Sequence, residues 1–341
     1  MDKKVSVVVT CYNHEKYIEA CLRSIFAQTH QEIELLVFND GSTDASGKVI
    51  SEVLKASPFA ETHYFSGENR GLAYVRNDAL GEMTGDFLLF VDSDNFLNAD
   101  HVEKLLTELL ATDSDIAYCQ LWDFNAQKDV LRPDLGYSFE KQLEGNLIDA
   151  SSLVRTAKIL DVKFDDSLNN KTLEDYDFWL GLIIENDAKP VFVATTKLNY
   201  RVLNDSLSQR GNWENYYQSY FYITNKYVAK IPSQLIGAIQ KNLLLWVENY
   251  HNLIVASEQK LADKEVAFMN QEAAMRKIIA DKDRHIASQE ATMRKIIIDK
   301  DRHIASQDTH IASQEKVISE ITHSLAYRLL NKLLHPLGKK K

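Results

Sequence analysis

The chain has 341 residues, of which 45% are hydrophobic and 26% are charged. This composition is typical of a globular protein, and the length allows one large domain or two ordinary ones. The formal net charge of −10 argues against nonspecific binding to nucleic acids, because a phosphate backbone attracts clustered Lys and Arg side chains.

Charge is distributed unevenly along the chain. The part from Glu258 onward has 16 basic and 12 acidic residues, whereas the part before it has 23 basic and 37 acidic residues. The last stretch, 324–341, has five basic residues and no acidic residue. The pattern indicates an acidic body followed by a tail of different construction.

Short motifs narrow the class of protein further. The chain has neither GxxxxGK[ST] nor GxGxxG, which argues against a P-loop and an ordinary dinucleotide-binding site. It has no run of 18 apolar residues that could span a membrane, and the apolar run after Lys4 is far too short for a signal peptide. The cysteines, Cys11, Cys21 and Cys119, lack CxxC spacing, so we expect reduced core thiols in a cytoplasmic protein.

The first 120 residues alternate short apolar runs with amphipathic segments. The predicted strands are 5–9, 33–38, 62–65, 87–91 and 116–121, and the predicted helices lie around 18–26, 45–56 (capped by Asp44), 72–80 and 102–110. This alternation predicts an α/β fold with a Rossmann-like, doubly wound, mostly parallel sheet. Such sheets bind ligands at the carboxyl ends of their strands.

The middle of the chain has a mixed pattern. We expect a strand near Leu147, a helix from Glu174 to Glu185 and short strands around 190–201. Residues 213–255 form a helical, aromatic segment. Its aromatic side chains either pack in a core or form a platform for a sugar, and we favour packing.

An internal repeat of 18 residues follows. EAAMRKIIADKDRHIASQ (272–289) recurs as EATMRKIIIDKDRHIASQ (290–307), and HIASQ occurs a third time at 310–314. Eighteen residues make five helical turns, so each copy places its apolar residues on the same helix face. The pattern predicts a long helix. We favour a coiled coil that makes the chain a homo-oligomer, and the alternative is a solvated single helix that acts as a spacer.

The last segment, 324–341, combines apolar and basic side chains. Its leucines share one helix face and its Arg and Lys residues surround that face: Leu325, Leu329, Leu330, Leu333 and Leu334 with Arg328 and Lys332. This pattern is typical of an interfacial helix on an anionic membrane surface, and equally of an assembly surface.

Three polar loops follow strands of the predicted sheet. The first contains Thr10, Tyr12 and Asn13, the second reads NDGSTD from Asn39, and the third reads DSDN from Asp92. Two carboxylates spaced D-x-D after a buried strand suit a hard divalent cation, although Asp and Asn are also common in ordinary turns. The position of all three loops at one edge of the sheet favours the metal site.

Five sequence blocks, in order, resemble the GT-A fold glycosyltransferases of family 2. The blocks are VSVVVTCYNHEKYIEACLRSIFAQTHQEIELLVFNDGSTD, ENRGLAYVRNDAL, GDFLLFVDSDN, LEDYDFWL and YRVLNDSLS, and they cover roughly 3–209. The resemblance implies the GT-A fold, a nucleotide-sugar donor (a UDP-sugar is expected) and a divalent metal, Mn or Mg, as cofactor.

The resemblance also implies roles for individual residues. The residues expected to bind the nucleotide-sugar are Thr10, Tyr12, Asn13, Asp40 (through the base), Arg76 (near the diphosphate), Asp92 and Ser93. Asp92 and Asp94 match the metal-binding DxD motif, and Asp175 matches the catalytic base of inverting members. Further contacts to the acceptor or a phosphate are expected from Glu174, Trp179, Tyr200 and Arg201. The alternative for Glu174 and Asp175 is an acidic first turn that complements a helix dipole.

The expected protein is thus an inverting, metal-dependent glycosyltransferase. Its expected acceptor is a hydroxyl of a glycan, in particular a lipid-linked intermediate of a bacterial surface polysaccharide, and its expected place is the cytoplasm or the inner face of the cell membrane. The alternative is a catalytically degenerate scaffold organised by the coiled coil. The expected division is a catalytic domain (1–210), a helical extension (211–256), the repeat helix (257–323) and a basic amphipathic helix (324–341).

Overall fold

The structure, a computed structural model, describes residues 3–130, 136–203 and 213–334. The chain divides into two compact units, Met1–Asn249 and Tyr250–Lys341. The described strands are β1 (Val5–Cys11), β2 (Ile33–Asn39), β3 (Glu61–Ser66), β4 (Phe87–Asp92), β5 (Ile116–Asp123), β6 (Lys128–Asp129), β7 (Leu153–Arg155) and β8 (Pro190–Tyr200). The described helices are α1 (Ile18–Phe26), α2 (Ser46–Val53), α3 (Leu72–Glu82), α4 (His101–Ala111), α5 (Phe139–Glu144), α6 (Glu174–Glu185), α7 (Trp213–Tyr227), α8 (Ile236–His323) and α9 (Leu325–Leu334).

One mixed sheet forms the centre of the first unit. Its strand order is β3-β2-β1-β4-β7-β5-β6, and β8 pairs with β5. Strands β1 to β4 are parallel, as predicted, and β8 is parallel to β5. The short strand β7 runs antiparallel between β4 and β5 and therefore separates them. The α/β sheet expected from the sequence is confirmed, with this antiparallel insertion as a new feature.

The strand predicted near Leu147 is wrong. Leu147 and Ile148 are fully buried but lie in the loop that precedes β7, and the strand itself is Leu153–Arg155. Two adjacent apolar residues look like part of a buried strand, because the hydrophobic pattern of a sequence reports which residues are buried and not which backbone conformation they have.

Helices cover both faces of the sheet. On one face, α1, α2 and α4 bury Leu22, Ile50 and Leu105 against the odd-numbered residues of β1 such as Val7. On the other face, α3 and α6 pack against the even-numbered residues such as Val8. Alternate side chains of a strand point to opposite faces, so a strand that is apolar throughout is covered on both sides.

A third cluster joins α6 to α7 and the start of α8. Tyr176 of α6 packs in it with Tyr220 and Ile223, and Tyr220 donates a hydrogen bond to the carbonyl of Leu143 at 2.8 Å. Packing of the aromatic segment is therefore confirmed for these residues, while Phe221 and Tyr222 of the same helix are exposed. The three cysteines are free and buried, as predicted.

Helix α8 contains the whole 18-residue repeat, so the predicted long helix is confirmed. The apolar side chains of the repeat are exposed, with Met275, Ile279 and Ile286 at 53–59% of their full accessibility. Among the described residues, no helix has both the length and the apolar character required to cross a bilayer. The predicted basic residues 339–341 and the end of the fifth sequence block, 204–208, lie outside the described residues.

Candidate active site at the carboxyl edge of the sheet

The three predicted loops lie at one edge of the sheet. Thr10 is paired in register with Phe38 of β2 on one side and with Asp92 of β4 on the other, so the strands end side by side. The loops after β1, β2 and β4 therefore start next to one another, as the sequence predicted.

Asn13 connects the first loop to the second. Its backbone is left-handed, with φ 55°, and its side-chain Oδ1 accepts a hydrogen bond from the Thr43 amide at 2.8 Å. The Asn13 amide donates to Ser42 Oγ at 2.9 Å. Tyr12, just before Asn13, is 46% exposed. Asn13 thus holds the loop so that the ring of Tyr12 is available to a ligand.

Asp40 connects the second loop to the segment before α3. Its two carboxylate oxygens accept hydrogen bonds from the backbone amides of Arg70 and Gly71, at 2.8 and 2.9 Å. Next to it lies a cavity of about 460 Å³, whose walls include Phe38, Phe65 and Asp40. If Asp40 contacts the nucleobase of the donor as predicted, it must use the carboxylate lone pairs that these two amides leave free.

The third loop contains the DxD pair. Asp92 is about one-third exposed, whereas Ser93 is buried and its hydroxyl is hydrogen-bonded to His14 Nδ1 at 2.8 Å. The Ser93 amide also donates to the carbonyl of Thr10 at 3.3 Å. Ser93 therefore fixes the loop to β1, and its hydroxyl is engaged by a protein group rather than presented to a ligand.

Asp94 is partly buried beside Asp92. Burial, followed by the negative charge of Asp92, raises the pKa of Asp94 to about 7. A divalent cation bound between Asp92 and Asp94 would offset the repulsion between their two negative charges.

Arg201 holds the DxD loop from the end of β8. Its guanidinium lies between the rings of Tyr17 and Phe124, at 4.4 and 4.7 Å from the ring centroids. Its Nε donates to the carbonyl of Asp94 at 3.0 Å, and its amide donates to Asn95 Oδ1 at 2.9 Å. Arg201 is thus positioned on the loop backbone. Tyr200, the residue before it, is partly buried and packs against the core cluster on the α1 side of the sheet.

A single buried cation joins the DxD loop to α6. Arg76 is 1% exposed, and its guanidinium contacts Asp92 Oδ1 at 3.0 Å and Glu174 Oε1 at 2.9 Å. The rings of Phe90 and Phe164 lie 5.6 and 5.3 Å from its central carbon. The predicted contact of Arg76 with a diphosphate is corrected by this geometry, since the side chain is enclosed and both its charged contacts are carboxylates.

Asp175 lies in the first turn of α6, beside Glu174. Its Oδ2 accepts a hydrogen bond from Asn146 Nδ2 at 2.9 Å, and its Oδ1 accepts one from the Tyr176 amide at 2.8 Å. Burial, together with the negative charges of Glu174 and Asp149, raises the pKa of Asp175 well above its ordinary value. A carboxylate with a raised pKa is a stronger base than a solvated one. A helix-dipole role alone does not account for this environment, because three acidic groups repel one another there.

Trp179 and Glu174, two of the residues predicted to contact the acceptor or a phosphate, point into the protein. Trp179 is fully buried in the core cluster with Phe178, so its predicted contact with an acceptor is corrected: the periodicity of α6 turns this side chain inward. Glu174 is only 13% exposed and is engaged by Arg76.

The sequence did not identify three residues that belong to this edge. His14 is bonded to Ser93, Asn146 is bonded to Asp175, and Asp149 lies near enough to Asp92 that burial, and then the charge of Asp92, raise its pKa to about 6. Asn146 and Asp149 flank Leu147 and Ile148, the two apolar residues whose pattern predicts a strand. Polar side chains beside a short apolar pair in a loop are the signal in the sequence that could identify both residues as candidates.

The carboxylates at this edge fit a divalent cation. Asp92 and Asp94 offer the oxygen ligands that Mn²⁺ and Mg²⁺ accept, and Arg76 contacts only Oδ1 of Asp92. A different acidic group, Glu34, Glu61 and His63, has ligand atoms within 4.8 Å of one another, but it lies at the opposite ends of β2 and β3. There Lys4 Nζ already contacts Glu61 at 2.6 Å and Glu34 at 3.6 Å. The DxD loop therefore fits a divalent cation better than this second group does.

Comparisons with known sequences agree with the geometry. The sequence model of glycosyl transferase family 2 matches residues 6–165. An uncharacterized glycosyltransferase of Haemophilus influenzae is 30% identical over 187 residues, which are 53% of this chain and 72% of that protein. Glycosyltransferase GlyA of Streptococcus pneumoniae is 36% identical over 164 residues, 47% of this chain but only 23% of that protein.

Comparisons with solved structures show the same fold. Residues 1–349 of TarS from S. aureus, in complex with UDP-GlcNAc, give a TM-score of 0.59 at 20% identity, covering 70% of this chain and 71% of that chain. The mannosyltransferase PcManGT from Pyrobaculum calidifontis, in complex with GDP-Man and Mn²⁺, gives 0.53 at 16% identity, covering 77% and 81%. With its GT-A fold and the matching sequence blocks, the chain belongs to glycosyltransferase family 2.

Proposed function

We propose that this chain is an inverting, metal-dependent glycosyltransferase that moves a sugar from a nucleoside diphosphate to a hydroxyl of a glycan. The observation that supports this most directly is the buried link from Asp92 through Arg76 to Glu174, next to Asp175. It joins the proposed metal-binding carboxylates to the candidate base across two structural elements, so the two groups that transfer needs lie close to each other.

The proposed donor lies along the loops after β1, β2 and β4. Tyr12 offers an exposed ring and Asp40 free lone pairs to the nucleoside, and Thr10 and Asn13 line the same edge. When bound at Asp92 and Asp94, a divalent cation supplies positive charge that stabilises the negative charge of the leaving diphosphate. TarS with UDP-GlcNAc and PcManGT with GDP-Man make these two nucleotide-sugars the first donors to test, and we expect the uridine nucleotide.

The proposed chemical step is a single displacement. The acceptor oxygen forms a bond to the anomeric carbon of the donor while the bond from that carbon to the phosphate oxygen breaks and its electron pair stays on the phosphate. Asp175 takes the proton of the acceptor hydroxyl as the new bond forms. Attack on the face opposite to the leaving group inverts the anomeric configuration. Asp175 is suited to this role because its raised pKa makes it a stronger base.

We further propose that the acceptor is a lipid-linked intermediate of a bacterial surface polysaccharide, and that the chain acts in the cytoplasm at the inner face of the cell membrane. The amphipathic helix α9 supports this, with Leu329, Leu330 and Leu333 exposed beside Arg328 and Lys332. The exposed apolar row of α8 supports self-association of the chain through a coiled coil. A degenerate scaffold is disfavoured because Asp40, Asp92, Asp94 and Asp175 are all present.

Replacement of Asp175 tests the proposal. Asp175→Asn keeps the shape of the side chain and removes the basic oxygen, so transfer should fall by about a hundredfold to ten-thousandfold. Release of nucleoside diphosphate from UDP-GlcNAc and from GDP-mannose, with Mn²⁺ present, measures the rate. Calorimetric titration of Asp175→Asn with the same nucleotide-sugars should give an affinity close to that of the parent, because a catalytic base does not contribute to binding of the nucleotide-sugar.

Asp113→Asn is the matched control, since this aspartate lies in an exposed turn with a left-handed backbone that asparagine also adopts. It should leave the rate unchanged. The proposal is wrong if Asp175→Asn keeps more than about a tenth of the parent rate, or if it loses donor affinity in proportion to rate.

A further inference from the structure

Asn146 is the side chain that contacts the proposed base. It lies in the loop between α5 and β7, and its Nδ2 donates a hydrogen bond to Asp175 Oδ2 at 2.9 Å. Within the part of the chain that the structure describes, the other hydrogen bond to this carboxylate comes from the backbone amide of Tyr176, at Oδ1. Each carboxylate oxygen therefore accepts one hydrogen bond and keeps lone-pair capacity for the proton of an acceptor hydroxyl.

The orientation of the Asn146 amide is fixed by its surroundings. Its Oδ1 accepts hydrogen bonds from the Ile148 amide and from Gln142 Nε2, each at 3.3 Å. Gln142 is fully buried, and its own Oε1 accepts from the Leu147 amide at 3.1 Å. A reversed amide would oppose donor to donor at Gln142 and oxygen to oxygen at Asp175, so the NH₂ group must face Asp175.

We infer that Asn146 is a positioning residue for Asp175, which holds the carboxylate in its ionised form and in one orientation toward the acceptor. This inference rests on the proposed function, because it assigns to Asn146 a role in the proton transfer that Asp175 performs. Asn146 acts through Asp175. The chain of contacts from Gln142 to Asn146 to Asp175 belongs to the first unit and connects α5 to the start of α6.

The charges around Asp175 explain why an uncharged hydrogen-bond donor such as Asn146 stabilises its ionised form. Glu174 on the same helix and Asp149 in the loop before β7 face it with negative charge, and Arg76 of α3 faces it with positive charge. Burial and the two acidic groups favour the protonated carboxyl, which cannot act as a base. The hydrogen bond from Asn146 favours the ionised form, because an N–H group stabilises a carboxylate more than a carboxylic acid.

Loss of this hydrogen bond should move the pH dependence of the reaction. A hydrogen bond to a charged group is worth enough to shift a titration by about one pH unit. In Asn146→Ala the acidic limb of the rate profile should move upward by about one unit. In Asn146→Asp, which keeps the size of the side chain, the limb should move upward at least as far, because the new carboxylate adds negative charge beside Asp175. At a pH below the limb this is a rate about tenfold lower, whereas at high pH the two rates should converge.

The test uses the full-length chain with Mn²⁺ and measures nucleoside diphosphate release from UDP-GlcNAc and GDP-mannose between pH 5 and pH 9. A second readout needs no donor: the titration of the Asp175 carboxyl in protein labelled with ¹³C at aspartate, identified by the signal that Asp175→Asn removes. Asn186→Ala is the matched control. Asn186 lies at the other end of α6 and donates to the carbonyl of Lys158 at 2.9 Å, so its loss affects stability and not the carboxylate.

An upward shift in both Asn146 variants, by either readout, with an unmoved profile in Asn186→Ala supports the inference. Titration of Asp175 at the parent pH in both Asn146 variants overturns it, even when the proposed function holds and Asp175→Asn is inactive. Parent activity in Asp175→Asn overturns the proposed base, and the role of Asn146 with it.

Discussion

The buried position of Arg76 makes its replacement the most informative stability experiment. Arg76→Met keeps a flexible side chain of similar length between the rings of Phe90 and Phe164 but removes the cation. Glu174, at 13% exposure, then loses its charged partner, and so does Asp92. Removal of one partner of a buried ion pair costs about 3–5 kcal/mol. Because Asp92 is about one-third exposed and water screens it, we expect the low end, about 3 kcal/mol.

The loss should depend on pH. Burial raises the pKa of Glu174, and the nearby Arg76 cation opposes that rise. Without Arg76 the pKa of Glu174 in the folded protein rises further, so folding takes up a proton and the variant gains stability relative to the parent as the pH falls. The difference in unfolding free energy between parent and Arg76→Met should therefore be larger at pH 8 than at pH 5.

Tryptophan fluorescence during heating measures this difference, since all four tryptophans lie before residue 250, in the first unit. For a unit of this size, about 3 kcal/mol corresponds to a fall in melting temperature of roughly 6–12 °C. Arg155→Met is the matched control: Arg155 also lies over a phenylalanine ring and pairs with Asp115, but at 3.4 Å and with 27% exposure. It should cost less than about 1 kcal/mol. Equal losses in the two variants, or a loss from Arg76→Met that is the same at both pH values, would refute the reasoning.

Two further predictions concern the metal and the long helix. Because the pKa of Asp94 is raised to about 7, Mn²⁺ must displace a proton below that pH, so calorimetry should show affinity rising from pH 6 to pH 8 with proton release, and Asp94→Asn should bind weakly without this dependence. A parent affinity that does not change with pH would contradict the assignment of Asp94. On the exposed row of α8, Ile286→Asp should reduce the mass per particle in sedimentation if the row pairs with a second copy, whereas Ser288→Asp, about 200° around the helix, should not. A parent chain that is already monomeric would contradict self-association.

The periodic parts of the sequence predicted the fold well. Three of the four parallel strands, β1, β2 and β4, are buried on both faces, whereas the edge strand β3 is largely exposed. Helix α6 was predicted with its observed ends, Glu174 and Glu185, because its apolar run starts at an acidic turn and ends before Asn186. The loop before β7 could not be recognised in this way. Leu147 is buried there because Gln142, Asn146 and Asp149 fold the backbone through side-chain hydrogen bonds, and such bonds have no sequence period.

The site was predictable as a set of loops but not as a set of contacts. Asp92, Asp94 and Asp175 lie where the sequence blocks placed them, at strand and helix ends that meet at one edge. The partners of Arg76 were not predictable, because one lies 16 residues away and the other 98 residues away. A buried arginine and a surface arginine look the same in sequence, and only the packing of α3 against β4 and α6 distinguishes them.

The stereochemistry of the first product tests the central claim most directly. UDP-GlcNAc and GDP-mannose both carry the sugar in the α configuration, and slow hydrolysis by the full-length chain with Mn²⁺ can be followed by proton NMR before the free sugar equilibrates. Single displacement by water activated at Asp175 predicts that the β-anomer appears first. Initial appearance of the α-anomer would contradict the account, because a single attack opposite to the leaving group, with Asp175 as the base, cannot retain the configuration.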